Sequence, residues 1–349
     1  MKILLVKLSS LGDVVHTLPV VQDILTALPN AQIDWVVEPA FAPVLLLCPG
    51  VHGVVPCDLR RWRKAPLASS TRRAYRAFKV QLRLTAYDAV IDLQGLSKSA
   101  LVAWLAKLAP GGKRYALANQ TDGSGYEAPT RWVADVAIRM APHIHAVQRA
   151  RALAAQALGY RLAGLPDYGL KMPPGQHLQA LAAIENIANS VAFIHGTSRA
   201  DKTWPLAHWV ALGQRLHAAG YSVVLAHGNA AEQATSEAIA RALNLGSTAS
   251  NPVSNPAARV LPMLSLDALA SVLATCTGVI GVDSGVSHLA VALDMPHVQI
   301  YNFDTAWRTG PESAGKPGMQ QVSVFAQPAP GVQAVWQAWL GCIAAGAST

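Results

Sequence analysis

Two runs of alternating strand and helix pattern, separated by one proline- and glycine-rich stretch, constrain this chain more than anything else in it. In the first run, β-branched segments at Lys2–Lys7, Ile33–Val37, Val51–Val55 and Tyr87–Leu93 predict strands, with helices from about Asp13, over Thr71–Leu84 and over Ser97–Leu108. The second run predicts strands at Ser190–His195, Tyr221–Ala226, Gly278–Val282 and His297–Tyr301. They alternate with helices at His177–Asn189, Leu206–Ala219, Ala230–Leu243, Leu266–Cys276 and Val286–Leu293. Strands that alternate with helices close right-handed βαβ units, and their sheets are parallel. The stretch Leu162–Gln176 reads as the linker. Past Leu108 the pattern weakens: Asn119–Pro129 reads as a loop and Arg131–Leu158 as a helix broken at Pro142. A length of 349 residues suits about two ordinary domains. The expectation is an α/β chain of two Rossmann-like, doubly wound parallel-sheet domains facing across a cleft. They span residues 1–165 and 176–330, and a terminal helix in 331–349 could pack across either domain, including back on the first.

The formal charge of +8 is not spread evenly. Nine of the 28 basic residues lie between Leu59 and Tyr87, where no Asp or Glu occurs, leaving 19 elsewhere against 20 acidic residues. A near-neutral protein with one basic segment points to a local anionic partner, and away from a general nucleic-acid coat. Single-stranded nucleic acid would also need aromatic platforms along the groove, and Tyr75 and Phe78 sit at core-like spacing instead. An anionic membrane surface or a phosphorylated glycolipid fits the segment. The apolar fraction of 52% and the charged fraction of 14% argue against disorder on a large scale. Apolar runs are cut by Pro, Gly or Lys well before the roughly 18 to 20 residues of a membrane span. Lys7 closes the first run too early for a signal peptide. Cys48, Cys57, Cys276 and Cys342 show no zinc spacing and read as buried free thiols of a cytoplasmic protein.

Several motifs are missing. No G-x-G-x-x-G follows the first strand, and no G-x-S-x-G elbow occurs. Gly310–Lys316 resembles a P-loop by letters, but Pro317 stands where Ser or Thr should be. What remains lies just after strands, where open α/β sheets bind ligands. In the first turn, Ser10 and Gly12 let a substrate approach the backbone, and Asp13 is a helix cap or a general base with equal weight. His16, a turn further on, reads as a packed core or solvent-facing imidazole. The loop His195–Pro205 gathers Thr197, Ser198, Arg199 and Lys202, a phosphate cradle or a polar surface loop. At Asp283-Ser284-Gly285, with His288 a turn on, a helix begins whose amides suit an anion. Glu232 follows His227-Gly228-Asn229 and could take ribose hydroxyls or serve the helix dipole.

Taken together, Lys7–Pro19, Asp34–Glu38, Arg60–Lys64, Tyr87–Ser99, Asp201–Pro205 with His208-Trp209, and Val282–Leu289 closely resemble glycosyltransferase family 9, the ADP-heptose:lipopolysaccharide heptosyltransferases. The likeness runs from Met1 to about Tyr301. It implies the GT-B fold and inverting transfer of heptose from ADP-heptose to the Kdo of lipid A, with no metal and no cofactor. A second heptose addition is the nearest alternative, and a non-catalytic anion-binding protein the alternative of another class. By resemblance Asp13 is the general base. Lys202, Thr197 and Ser198 hold the donor diphosphate, with Ser284, Gly285 and His288 beside it. Asp283 binds heptose, Glu232 the ribose, and Met263 lies near the adenine. Ser10, Gly12, Arg60, Arg61, Trp62, Arg63, Lys64 and Lys98 form the acceptor side. The implied place is the cytoplasmic face of the inner membrane, as a peripheral protein. The segments Tyr301–Thr305 and Asn119–Arg131 depart from the family pattern.

Overall fold

The computed structural model describes residues 1–172, 187–246, 256–312 and 320–346. Most of the helix expected at His177–Asn189 lies outside the described residues. The chain divides into two compact units, Met1–Lys171 and Met172–Thr349.

The first unit runs β1 (Lys2–Val6), α1 (Leu11–Thr17), α2 (Pro19–Ala27), β2 (Gln32–Val37), α3 (Ala42–Leu46), β3 (Gly53–Pro56), α4 (Leu59–Lys64), α5 (Ser69–Leu84), β4 (Tyr87–Asp92), α6 (Ser97–Leu105), β5 (Leu108–Leu117), α7 (Pro129–Val133), β6 (Val136–Ile138) and α8 (Ala146–Leu158). Its six strands pair in the order β3-β2-β1-β4-β5-β6, and every pairing is parallel. β1 sits centrally, so both its faces are covered and Ile3, Leu4, Leu5 and Val6 are fully buried. That is why it reads as a continuous apolar run.

The second unit runs β7 (Ser190–Ile194), α9 (Leu206–Ala218), β8 (Ser222–Leu225), α10 (Ala230–Gly246), β9 (Ala258–Val260), α11 (Leu266–Thr275), β10 (Gly278–Val282), α12 (Gly285–Ala292), β11 (His297–Tyr301), α13 (Ala306–Thr309), β12 (Gln321–Phe325) and α14 (Val332–Gly346). Its sheet is again all parallel, ordered β12-β11-β10-β7-β8-β9. Renumbered from its own first strand, that is the order of the first unit read from the other edge. Each unit therefore has one switch point, between β1 and β4 and between β7 and β10, where the chain reverses its direction of travel across the sheet. The terminal helix α14 packs on β11, β12 and α9. Its Val335, Trp339 and Cys342 join the core of the second unit. Gly278 lets it close in: a Cβ there would stand 2.6 Å from the Pro296 carbonyl and 2.8 Å from the Trp339 ring.

Two expectations need correction. The weak pattern past Leu108 hides a ten-residue strand, β5. Its register against β4 shifts between Tyr87 and Ala89, and the Gly111-Gly112 pair lies in the shifted stretch. Gly111 has φ of 77°, and a Cβ on Gly112 would lie 2.5 Å from the Tyr87 carbonyl. A glycine bulge followed by Lys113 and Arg114 erases the period-two signal. The helix expected over Arg131–Leu158 is instead α7, the edge strand β6 and α8, because a three-residue strand is too short to show a period. The four cysteines are buried and free.

Candidate functional site

At the switch point of the first unit, the ends of β1 and β4 are tied together by one side chain. Gln94 Oε1 accepts the amides of Leu8 and Ser9 at 2.7 and 3.2 Å, and its Nε2 donates to the Ser9 carbonyl at 2.5 Å. Asp92, buried at the end of β4, accepts the amides of Gln94 and Gly95 and the Ser99 hydroxyl. Burial pushes the Asp92 carboxyl up to about 6, against those three donors. Gly95 turns the chain with φ of 81°.

On the loop so fixed, Asp13 is the third residue of α1 and not its cap. Its Oδ2 accepts the Ser10 amide at 3.1 Å and the Ser10 hydroxyl at 2.9 Å. The carboxylate thus does the back-bonding half of a capping box while its side chain stays 40% exposed. Behind it, Lys7 is 4% exposed, donates to the Leu93 carbonyl at 3.1 Å and places Nζ 3.3 Å from Asp13 Oδ1. Burial pushes the Lys7 ammonium below the usual lysine range, with Asp13 opposing. Burial also pushes Asp13 up, but the Lys7 charge and the Ser10 donors outweigh it. They hold the carboxyl well below the usual carboxylate range. His16 is buried, with its ring 6.2 Å from that of His145.

The basic segment begins at α4. Asp58 caps it by accepting the Arg61 amide and pairs with Arg61 Nε at 2.9 Å. Glu38, buried at the end of β2, lies 3.4 Å from Arg60 and 3.5 Å from Lys98, and Lys98 donates to Ser9 Oγ at 2.7 Å. A segment without acids of its own is thus steered by acids from its flank and from β2. Arg60, Arg61, Arg63 and Lys64 face solvent. Trp62 does not: it is 7% exposed, and its ring packs 5.8 Å from Tyr75 and 5.4 Å from Phe78. Its place is in the core, where it anchors the helix that carries the arginines.

The second unit has its own switch-point cluster. Asp283, just after β10, lies between a lysine and a histidine. Lys202 Nζ contacts Oδ2, and His288 Nε2 lies 3.4 Å from Oδ1. Burial pushes the Asp283 carboxyl up, yet His288 and Lys202 hold it well below the usual range. Gln299 Nε2 meets His288 Nδ1 at 3.3 Å. Thr197 Oγ1 donates to the Asp283 carbonyl at 3.3 Å, bringing the loop after β7 against the end of β10. Ser284 caps α12 by accepting the Ser287 amide at 3.4 Å. Glu232, in the first turn of α10, accepts the Gly228 amide at 2.8 Å and packs over Gly196, where a Cβ would fall 2.6 Å from its carboxyl carbon. Met263 is exposed on the loop after β9.

Thr197, Lys202, Asp283, Ser284 and His288 are thus brought together, and Ser10, Asp13 and Lys98 surround the first loop. Four supporting residues escaped the sequence reading. Lys7, Glu38, Asp92 and Gln94 each end or follow a strand, and only their polarity inside apolar runs marks them. A fifth, Asn302, lies in the divergent Tyr301–Thr305 segment. Its amide donates to the Thr203 carbonyl at 2.8 Å and the Asp201 carbonyl at 3.3 Å, pinning the Lys202 loop. Among the described residues no group of three or more His, Cys, Asp or Glu is placed to hold a metal ion.

Comparisons with known proteins agree on one family. The model of glycosyltransferase family 9 (heptosyltransferase) matches residues 75–330. Lipopolysaccharide heptosyltransferase 1 of Pseudomonas aeruginosa is 39% identical over 323 residues, 92% of this chain and 83% of that protein. The enzyme of the same name from Escherichia coli K12 is 36% identical over 307 residues, 86% of this chain and 88% of that one. The solved structure of E. coli heptosyltransferase WaaC with ADP superposes with a TM-score of 0.80 at 32% identity, covering 97% of this chain and 98% of that one. With two parallel six-stranded Rossmann-type sheets of the GT-B kind, this chain belongs to glycosyltransferase family 9, the heptosyltransferases.

Proposed function

We propose that the protein transfers L-glycero-D-manno-heptose from ADP-heptose to the Kdo of lipid A, with inversion, in the building of the lipopolysaccharide inner core. The second unit takes the donor and the first the acceptor. The observation that carries the reading is the Lys202–Asp283–His288 cluster at a helix start, in a chain 39% identical to a heptosyltransferase 1.

In this reading Lys202, Thr197, Ser198 and the first amides of α12 receive the diphosphate of ADP, while Glu232 takes the ribose and Met263 lies by the adenine. The acceptor hydroxyl attacks the anomeric carbon as the bond to the diphosphate oxygen breaks. Its proton passes to Asp13, which Lys7 keeps ionised. Negative charge grows on the departing diphosphate, where Lys202 and the helix N-terminus are aimed. Ser10 and Gly12 leave room for the acceptor, and Arg60, Arg61, Arg63, Lys64 and Lys98 bind its carboxylates and phosphates. Among the described residues no helix is long and apolar enough to cross a membrane. The glycolipid is then met peripherally, at the cytoplasmic face of the inner membrane.

The test is an assay with purified ADP-heptose and Kdo-lipid A, with the anomeric configuration of the product read by NMR. Expected is a single α-linked heptose on Kdo. Transfer only to an already heptosylated core would assign the second addition instead. No turnover with either acceptor, alongside binding of anions by α4, would leave a binding protein.

A further inference from the structure

The outward faces of α5, α6 and α7 carry features that neither switch-point cluster uses. α6 packs against both neighbours, and Arg83 near the end of α5 donates to the Leu105 carbonyl at the end of α6 at 3.2 Å. The three helices therefore form one continuous flank of the first unit. On it stand large apolar side chains in solvent: Val80 at 63% exposure, Leu84 at 76%, Leu101 at 42%, Trp104 at 61% and Trp132 at 71%. Helical spacing explains the layout of α5. Tyr75, Phe78 and Leu82 take the side facing the core, so Val80 and Leu84 fall opposite them, and Arg72, Arg76, Lys79 and Arg83 line the edge between. Among the described residues no carboxylate pairs with Arg72, Arg76 or Lys79.

Isolated exposed leucines need no explanation, but two tryptophans and three aliphatic residues on adjoining helices, bordered by unpaired cations, do. We propose that this face docks on an anionic phospholipid bilayer. Trp104, Trp132 and Leu84 enter the boundary between headgroups and acyl chains, and the basic edge of α5 lies against the lipid phosphates. Tryptophan suits that depth because its ring is apolar and its N–H polar. A second copy of the chain fits worse, since a two-fold contact would set one basic edge against the other. The inference gives a physical seat to the peripheral placement proposed above and rests on it for its purpose. Its test contains no glycolipid.

The experiment is flotation of the full chain with vesicles of phosphatidylglycerol and phosphatidylethanolamine, and with vesicles of phosphatidylcholine alone. A parallel activity assay uses ADP-heptose and a water-soluble, deacylated Kdo acceptor. The wild type is expected to float with the anionic vesicles and much less with the neutral ones. The double variant Trp104→Ser, Trp132→Ser should bind the anionic vesicles on the order of tenfold more weakly or worse. The pair Arg76→Gln, Lys79→Gln should lose roughly tenfold or more for the anionic vesicles only. Neither pair should change turnover of the soluble acceptor, which also shows that both fold. A tryptophan variant that floats like the wild type overturns the proposal. So does a wild type that ignores anionic vesicles, or one that sediments as a dimer dispersed by the same substitutions. Vesicle binding without turnover of the acceptor would sink the functional reading and leave the docking face standing.

Discussion

Asp92→Asn is expected to stabilise the protein, little at pH 4 and increasingly as pH rises toward 7. Asp92 is fully buried, and its carboxyl is raised from 3.8 to about 6. A carboxyl raised by folding adds stability below its unfolded value, and that contribution is lost as pH rises through the folded one. The 2.2-unit rise, at 1.36 kcal/mol per unit, costs about 3 kcal/mol by pH 7 and roughly 0.5 kcal/mol at pH 4. Asparagine can keep the hydrogen bonds. Its oxygen accepts the Gln94 and Gly95 amides as Oδ1 does now, and its amide donates to Ser99 Oγ, whose proton goes to the Leu96 carbonyl. The attraction between Lys7 and the carboxylate is already contained in that raised value, and exchanging a carboxylate oxygen for an amide in the same hydrogen bonds trims the gain to about 1–3 kcal/mol. The assay is thermal unfolding of both proteins from pH 4 to 8, following the transition of the first unit. A gain of about 2 kcal/mol near neutrality corresponds to roughly 4–8 °C for a unit of this size. A stability difference that stays flat across that pH range refutes the argument, as does a deficit of the variant that widens as pH rises.

Asp13→Ala should lower kcat by about 10²- to 10⁴-fold with the KM for ADP-heptose little changed, in steady-state kinetics. Lys202→Ala should weaken ADP binding by tenfold or more in titration calorimetry, because it removes the cation and leaves Asp283 buried with His288 alone. Gly196→Ala should raise the donor KM several-fold and spare the acceptor KM, since its Cβ would displace Glu232. Trp62→Ala should cost about 3–5 kcal/mol in denaturant unfolding, from its cluster with Tyr75 and Phe78.

Much of the fold was legible because buried parallel strands are apolar on both faces. β1 and β10 read as near-continuous runs, and the ends of β10 and β11 agree with expectation. β5 was not legible, because its bulge and its Lys113-Arg114 pair break the period. β6 and β9 were too short to show one. The site divided in the same way. Asp13, Lys202 and Asp283 stood out because polar residues just after a strand lie where α/β sheets bind ligands. The residues that brace them did not, because bracing depends on partners far away in sequence. Gln94 holds Leu8 and Ser9 across 86 and 85 positions, and Asn302 holds Thr203 across 99. Trp62, set on the acceptor side by resemblance, packs against Tyr75 and Phe78 instead, and that packing is not visible in the sequence around it.

Both switch points hold a lysine against an aspartate, but the pairs are presented the opposite way round. In the first unit the lysine is at the back, 4% exposed, and the aspartate at the front, 40% exposed. In the second the aspartate is at the back, 7% exposed, and the lysine further forward, 18% exposed. A pair costs less to bury than either charge alone, so each unit can hold a charged group at the end of its sheet while showing solvent mainly one sign. The proposed chemistry asks for those signs: a proton acceptor for the attacking hydroxyl, a cation for the diphosphate that leaves. The arrangement has a consequence for timing. Lys7 makes Asp13 a weak base, far too weak to deprotonate a free sugar hydroxyl. The proton can move only once the new bond to the anomeric carbon has made that hydroxyl acidic. In the proposed reaction, proton transfer to Asp13 would therefore come late, when charge on the departing diphosphate is greatest and Lys202 would contribute most.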